Sequence, residues 1–265
     1  MKKFFAVALA LAMVLSLAAC AKKEATEKEE EKKIVYAVEA GSAGEAAAEE
    51  NGWEYISVDT QAKALMEVKA GTADAAIIDL LMAGAMIGEG TDYPDLKYTD
   101  SLTEEKYGAG CRKGSDLAAY INNVLAETYA SGEMKEIATT YGVQESLLEQ
   151  EAADSEFTVA EDGDVAYIQD KGTLIVGITD FAPMDYKDDN GEWIGFDADM
   201  AKLVAEKLGV DVEFVEIDWD NKTFELDGKS IDVVWNGMTL TEEVTNAMEC
   251  TNAYCNNAQV VVVAK

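Results

Sequence analysis

The chain has 265 residues, with 52 acidic against 21 basic side chains, a formal charge of −31 and no His. Such an acid excess excludes a nucleic-acid partner, because little is left to neutralise a phosphate backbone. The lack of imidazole excludes Ser-His-Asp triads and most zinc enzymes. Hydrophobic residues at 49% suffice for a packed core.

In chain order, Met1-Lys2-Lys3 is a basic start, and residues 4–15 are almost wholly apolar. That run is too short for a normal membrane span and suits the core of a secretory leader. It ends in Leu17-Ala18-Ala19-Cys20. Residues 21–33 are nearly all Lys, Glu, Ala and Thr, the composition of a solvated tether.

Alternating strands and helices follow. Residues 33–41 are rich in strand formers, and Ser42 caps a helix to about Asn51, with Glu45 at the capping-box position. Residues 53–59 read as a strand. Thr60 caps a helix over 61–69 with Ala64, Leu65 and Val68 on one face. Residues 73–79 form a short apolar strand, a helix starts at Leu80, and 97–102 closes this first unit. A strand over 107–113 and one or two helices over 116–141, broken near Ser131-Gly132, come next. Residues 144–164 are acidic and aperiodic, a linker by composition. Beyond it come a strand over 173–179 and a helix carrying Phe196, Met200, Leu203, Val204 and Leu208. Val210, Val212 and Phe214 alternate as a strand, and 231–235 and 259–263 are buried-type strands. Repeated βα units favour open sheets with helices on both faces and ligands at the strands' carboxyl ends.

Several of these segments resemble the polar amino-acid-binding proteins (family 3) of bacterial ABC importers. In the second half they are Gly172-Thr-Leu-Ile-Val-Gly177, Phe181-Ala-Pro-Met-Asp-Tyr186, Asp189-Asn-Gly191, Gly195-Phe-Asp-Ala-Asp199, Asp218-Trp219 and Asp232-Val-Val-Trp-Asn-Gly-Met-Thr-Leu-Thr241, then Tyr254 and Gln259-Val-Val-Val. In the first half they are Glu39-Ala-Gly-Ser42, Ala70-Gly-Thr-Ala-Asp74 leading to Asp79, Tyr107-Gly and Arg112-Lys-Gly114. The resemblance implies an α/β, two-lobed periplasmic-binding-protein-like (type II) fold with the ligand cleft between the lobes. The pieces stand in permuted order, as in a circular permutant cut at one hinge strand. The implied organisation is a signal peptide over 1–19, a lipid-anchored tether over 20–33 and the Ala-Gly-Ser lobe (lobe 2) over 34–102. A hinge and returning segment of lobe 1 follows over 103–143, then the linker over 144–164 and the main part of lobe 1 over 165–265. One covalent crossing between lobes is expected, near Leu102–Tyr107. The residues before Cys20 resemble the lipobox of bacterial lipoproteins, which implies cleavage there and an acyl chain on its sulfur. An ordinary secretory leader with an incidental Cys is the alternative.

The resemblance also implies a ligand site. Asp79 pairs with a ligand ammonium; read locally, it is equally a helix cap before Leu80. Gly41, Ser42 and Ala43 form a helix N-terminus that attracts a carboxylate, or a plain capping box. Asn236, Gly237 and Thr239 offer backbone groups and a hydroxyl, and Phe181 covers the ligand side chain. Trp235 reads as core. After Thr241-Glu-Glu the family usually carries an Arg that forks onto the ligand carboxylate; this chain has Val244. Arg112, its single Arg, lies in an element outside the usual site. The carboxylate is then held by backbone groups, with a Lys such as Lys222, or the ligand is not an ordinary α-amino acid. Cys111, Cys250 and Cys255 match no zinc spacing, and Asp188-Asp-Asn-Gly191 reads as a turn. No cofactor, metal or catalytic constellation is expected.

The leading function is therefore a lipid-anchored, monomeric solute receptor outside the cytoplasm. It passes an amino-acid-like ligand to an ABC permease and meets the membrane through acylated Cys20. The alternatives are a ligand-sensing input protein and a cyclohexadienyl-dehydratase-like enzyme on the same fold.

Overall fold

The computed structural model describes residues 33–151 and 157–265. The leader, Cys20 and the tether before Lys33 lie outside the described residues, as do linker residues 152–156. In chain order come β1 (Val35–Glu39), α1 (Ala43–Asn51), β2 (Glu54–Val58), α2 (Gln61–Ala70), β3 (Ala75–Asp79), α3 (Leu80–Met86) and β4 (Leu96–Ser101). The middle of the chain holds β5 (Glu105–Tyr107), β6 (Gly110–Cys111), α4 (Leu117–Ser131), α5 (Glu133–Thr140) and α6 (Asp164–Lys171). Then come β7 (Thr173–Ile178), β8 (Tyr186–Lys187), β9 (Trp193–Ile194), α7 (Phe196–Leu208), β10 (Asp211–Glu216) and α8 (Lys222–Asp227). The chain finishes with β11 (Val233–Val234), α9 (Glu242–Ala247), β12 (Glu249–Cys250), β13 (Cys255–Asn257) and β14 (Gln259–Ala264).

Local chemistry sets the helix ends. Ser42 Oγ accepts the Glu45 N–H at 3.1 Å while Glu45 Oε2 takes the Gly41 N–H at 2.7 Å, a capping box displaced by one residue. Thr60 Oγ1 accepts the Lys63 N–H at 3.1 Å. Helices α4 and α5 are separate because Gly132 takes φ +88°, a left-handed turn that ends one helix and begins the next. Asp188 Oδ1 accepts the N–H groups of Asn190 and Glu192 at 2.8 and 2.9 Å, the turn that joins β8 to β9.

Two five-stranded sheets carry the lobes. Lobe 2 has the order β2-β1-β3-β14-β4, and lobe 1 the order β10-β7-β11-β6-β12. In each, four strands point the same way and one, β14 in lobe 2 and β6 in lobe 1, runs antiparallel to both its neighbours. Ala37, Ala64, Leu65 and Ile78 are fully buried in lobe 2, and Leu174, Val176, Val204 and Val233 in lobe 1. Trp235 is wholly buried in the core.

Two sequence expectations are corrected. The strand at 259–264 does not complete lobe 1. It pairs with β3 (Gln259 opposite Asp79) and with β4, inside the lobe 2 sheet. Val260 and Val262 are fully buried there, and an apolar strand has no local signal of which sheet will bury it. The chain therefore crosses between lobes twice, through β5 and again between β13 and β14. The two crossing strands pair with each other, Cys255 opposite Tyr107. Second, residues 144–150 are not a free linker. Leu147 bridges to Cys255, the Leu148 N–H donates to Tyr254 O at 2.9 Å, and Gln150 donates to Ala253 O at 2.9 Å. This segment packs on the second crossing and satisfies backbone groups there. Among the described residues no helix is long and apolar enough to cross a membrane.

Candidate functional site

A cavity of about 520 Å³ lies between the two lobes. Lobe 2 supplies Glu39 and Asp79 from the ends of two parallel strands, the turn Gly41-Ser42-Ala43, and one face of α1. Lobe 1 supplies Phe181, Trp219, Asp220, Lys222, the run Asn236–Thr239, and the start of α9. Every ligand residue expected from the sequence lines this cavity: Gly41, Ser42, Ala43, Asp79, Phe181, Asn236, Gly237 and Thr239. The position in the sheets is the expected one, at the carboxyl ends of parallel strands.

Asp79 stands at the N-cap of α3, yet its carboxylate makes no capping bond. It turns instead to the junction of the lobes. Its Oδ1 accepts the Tyr107 hydroxyl at 2.7 Å, Gln259 Nε2 at 3.1 Å and the Asn257 amide. Its Oδ2 accepts the Gln61 amide, and Gln61 Oε1 takes the Asp79 N–H at 2.8 Å. Burial and the nearby Glu105 push Asp79 up to about 7. Glu105 is tied into the same group: its Oε2 accepts Asn257 and Gln259 amides at 3.1 and 3.0 Å and the Thr239 hydroxyl at 3.0 Å.

Glu39 is a functional candidate that sequence reasoning missed. Its side chain is 4% exposed, and Oε1 is buried without a hydrogen-bond partner. Burial, then the charge of Asp79, pushes Glu39 up to about 8, against the pull of Gln61 and Lys222. The available signal was a single Glu closing an otherwise apolar strand, Val35 to Val38. Among the described residues Lys222 is the only basic one lining the cavity. Its Nζ crosses to lobe 2 and donates to Gly41 O at 3.0 Å, donates to Trp219 O at 3.1 Å, and sits 4.9 Å from the Trp219 ring centre. Burial lowers its pKa, opposed by Glu39.

On the lobe 1 wall several groups are already paired. Asn236 Oδ1 accepts the Thr179 N–H and hydroxyl at 2.9 and 2.7 Å, and its Nδ2 donates to Asp185 Oδ2 at 2.8 Å. The Gly237 N–H donates to Asp197 Oδ2 at 2.6 Å. These two residues therefore shape the wall rather than offer these groups freely. Phe181 packs on Tyr107 edge to face, with centroids 6.3 Å apart. Val244 lines the cavity, so an apolar side chain faces it where a guanidinium was expected by resemblance. Arg112 is remote from it, bonded to Asp164 at 3.1 Å, Asp232 at 3.3 Å and Ile231 O at 2.8 Å. Cys111, Cys250 and Cys255 are all free thiols, and among the described residues no group of acidic or Cys side chains is arranged to hold a metal.

Residues 174–265 match the family model of the bacterial extracellular solute-binding proteins, family 3. The chain is 30% identical over 107 residues to the L-cystine-binding protein TcyJ of Escherichia coli strain K12, covering 40% of each chain. It is 31% identical over 96 residues to the arginine-binding extracellular protein ArtP of Bacillus subtilis strain 168, covering 36% of this chain and 37% of that one. Among solved structures, an ancestral cationic amino acid solute binding protein is 42% identical over 32% of this chain and 37% of its own, with a TM-score of 0.31. The chain thus spans about two fifths of the length of the curated relatives it matches.

Proposed function

We propose that this chain, whose residues 174–265 match the bacterial extracellular solute-binding proteins, family 3, captures a small amino-acid-like solute outside the cytoplasm for an ABC importer. The observation that carries this reading is the cavity itself. It is lined by both lobes and by the carboxylates of Glu39 and Asp79 at strand ends. Bonds from one ligand to both lobes would favour their approach, which is how a two-lobed receptor reports occupancy. Asp79 and Glu39 are the anionic partners for a ligand ammonium, and Phe181 and Trp219 cover its apolar part. The acyl anchor on Cys20 belongs to this proposal, as does the monomeric state.

We also read the segment order as a permutation of the family's order. The support is that the family match begins at residue 174, while the strand at its far end, β14, enters a sheet whose other strands lie between Val35 and Ser101. The function is tested by titration calorimetry of the mature chain, stripped of ligand by unfolding and refolding, against the twenty amino acids and related amines. Binding of at least one at micromolar affinity is expected. Silence across the whole panel would sink the proposal.

A further inference from the structure

We infer that this cleft takes a small organic cation, an alkylamine or alkylguanidine, and that its recognition uses no ligand carboxylate. The inference deepens the binding reading above and rests on it.

Two backbone donors that would receive a carboxylate, one on each wall, are held by carboxylates of the chain itself. At the N-terminus of α1 the Gly41 N–H is held by Glu45 Oε2 at 2.7 Å. That glutamate already sits where the free N–H groups and helix dipole would draw an anion. On the opposite wall the Gly237 N–H is held by Asp197 Oδ2 at 2.6 Å. The lone ammonium, Lys222, is spent on two backbone carbonyls and faces Glu39. Val244 offers the ligand only carbon. A carboxylate entering here would exchange water for apolar surface and like charge, with no bidentate donor in return.

The same cavity is prepared for positive charge. Eight carboxylate side chains line it against one ammonium. One oxygen of Glu39 is buried with no partner, an acceptor left open in the wall of the cavity. A ligand N–H would supply the missing bond and the counter-charge together. The Phe181 and Trp219 rings line the cavity beside these acids, and aromatic faces attract cations from which water has been removed.

The test is calorimetry on the ligand-stripped mature chain with pairs that differ only by the carboxylate: cadaverine and lysine, putrescine and ornithine, agmatine and arginine. In at least one pair the amine is expected to bind ten-fold or more tightly than its amino acid. Glu39→Gln is expected to cost that amine ten-fold or more in affinity. Val244→Arg is expected to move the preference towards the amino acid, and it keeps the test open should the first variant not fold. Equal or tighter binding of the amino acid in every pair overturns the inference and leaves the binding function standing. So does binding of some other amino acid with all six probes silent. No binding of any amine or amino acid removes both.

Discussion

Gly41 and Asp220 bring the two lobes into backbone contact across the cleft: a Cβ built on Gly41 would lie 2.8 Å from Asp220 Cα. Gly41 also holds φ +68°, which side-chain-bearing residues adopt at a cost of about 1–2 kcal/mol. Gly41→Ala therefore acts twice, on the turn before α1 and on the approach of the lobes. The turn penalty lowers the melting temperature by a few degrees. The blocked contact lowers ligand affinity at least ten-fold. Calorimetry and thermal melts measure the two separately, and unchanged affinity would show that the contact is dispensable.

The ligand-free protein is expected to lose stability as pH rises from about 5 to 8. Glu39 and Asp79 are pushed up to about 8 and about 7 from ordinary carboxylate values. Both keep their protons in the folded state while the unfolded chain has lost them. Their contribution is fully present below the unfolded values and disappears as pH passes through the folded ones. Urea unfolding at pH 5, 6.5 and 8 reads the slope, and Glu39→Gln should flatten it. A slope unaltered by that substitution would mean the proton on Glu39 plays no part.

Arg112→Leu separates stability from binding. Asp232 is fully buried and depends on Arg112 and on Lys171, whose Nζ lies 2.6 Å away. Removing one partner of a buried ion group costs about 3–5 kcal/mol. Because Arg112 does not line the cavity, affinity of the folded fraction should stay within two-fold. A large affinity change measured well below the melting temperature would contradict this separation.

Gly237→Ala reshapes the lobe 1 wall. Its φ is +55°, and a Cβ would fall 2.3 Å from Phe181 Cε1 and 3.2 Å from Tyr107 Cε2. Phe181 would have to leave its edge-to-face contact with Tyr107. Overpacking of this kind costs about 1–3 kcal/mol. Chemical denaturation should show that loss, together with weaker binding.

The parts of the fold written in local chemistry were readable from sequence. Ser42 and Thr60 announce their helices, the apolar stripe through Met200 and Val204 announces α7, and Gly132 marks the break between α4 and α5. What escaped was set by distant contacts. Strand β13 is Cys-Asn-Asn, with little strand propensity, and exists because Tyr107 lies opposite Cys255. Helix α6 follows a composition that reads as linker, and is fixed by the Asp164 bond to Arg112 and the Asp116 acceptance of the Val165 N–H. At the site, the residues named by resemblance all line one cavity. It did not show that Gly237 and Asn236 are already bonded. Nor did it single out Glu39, whose meaning comes from burial that no single sequence position displays.

Asp79 Oδ1 gathers donors from Tyr107 on β5, Asn257 on β13 and Gln259 on β14, one from each strand at the two crossings. The same carboxylate lines the cavity. The joint and the cavity thus share a single acid. Any ligand that draws on Asp79 alters the bonds that fix the strands between the lobes, and any strain on those strands is felt at the ligand. On the proposed binding function, occupancy and lobe angle would share one coupling free energy, with reciprocal effects. Substitutions at Tyr107 or Asn257, outside the lining of the cavity, should for that reason behave as binding mutations.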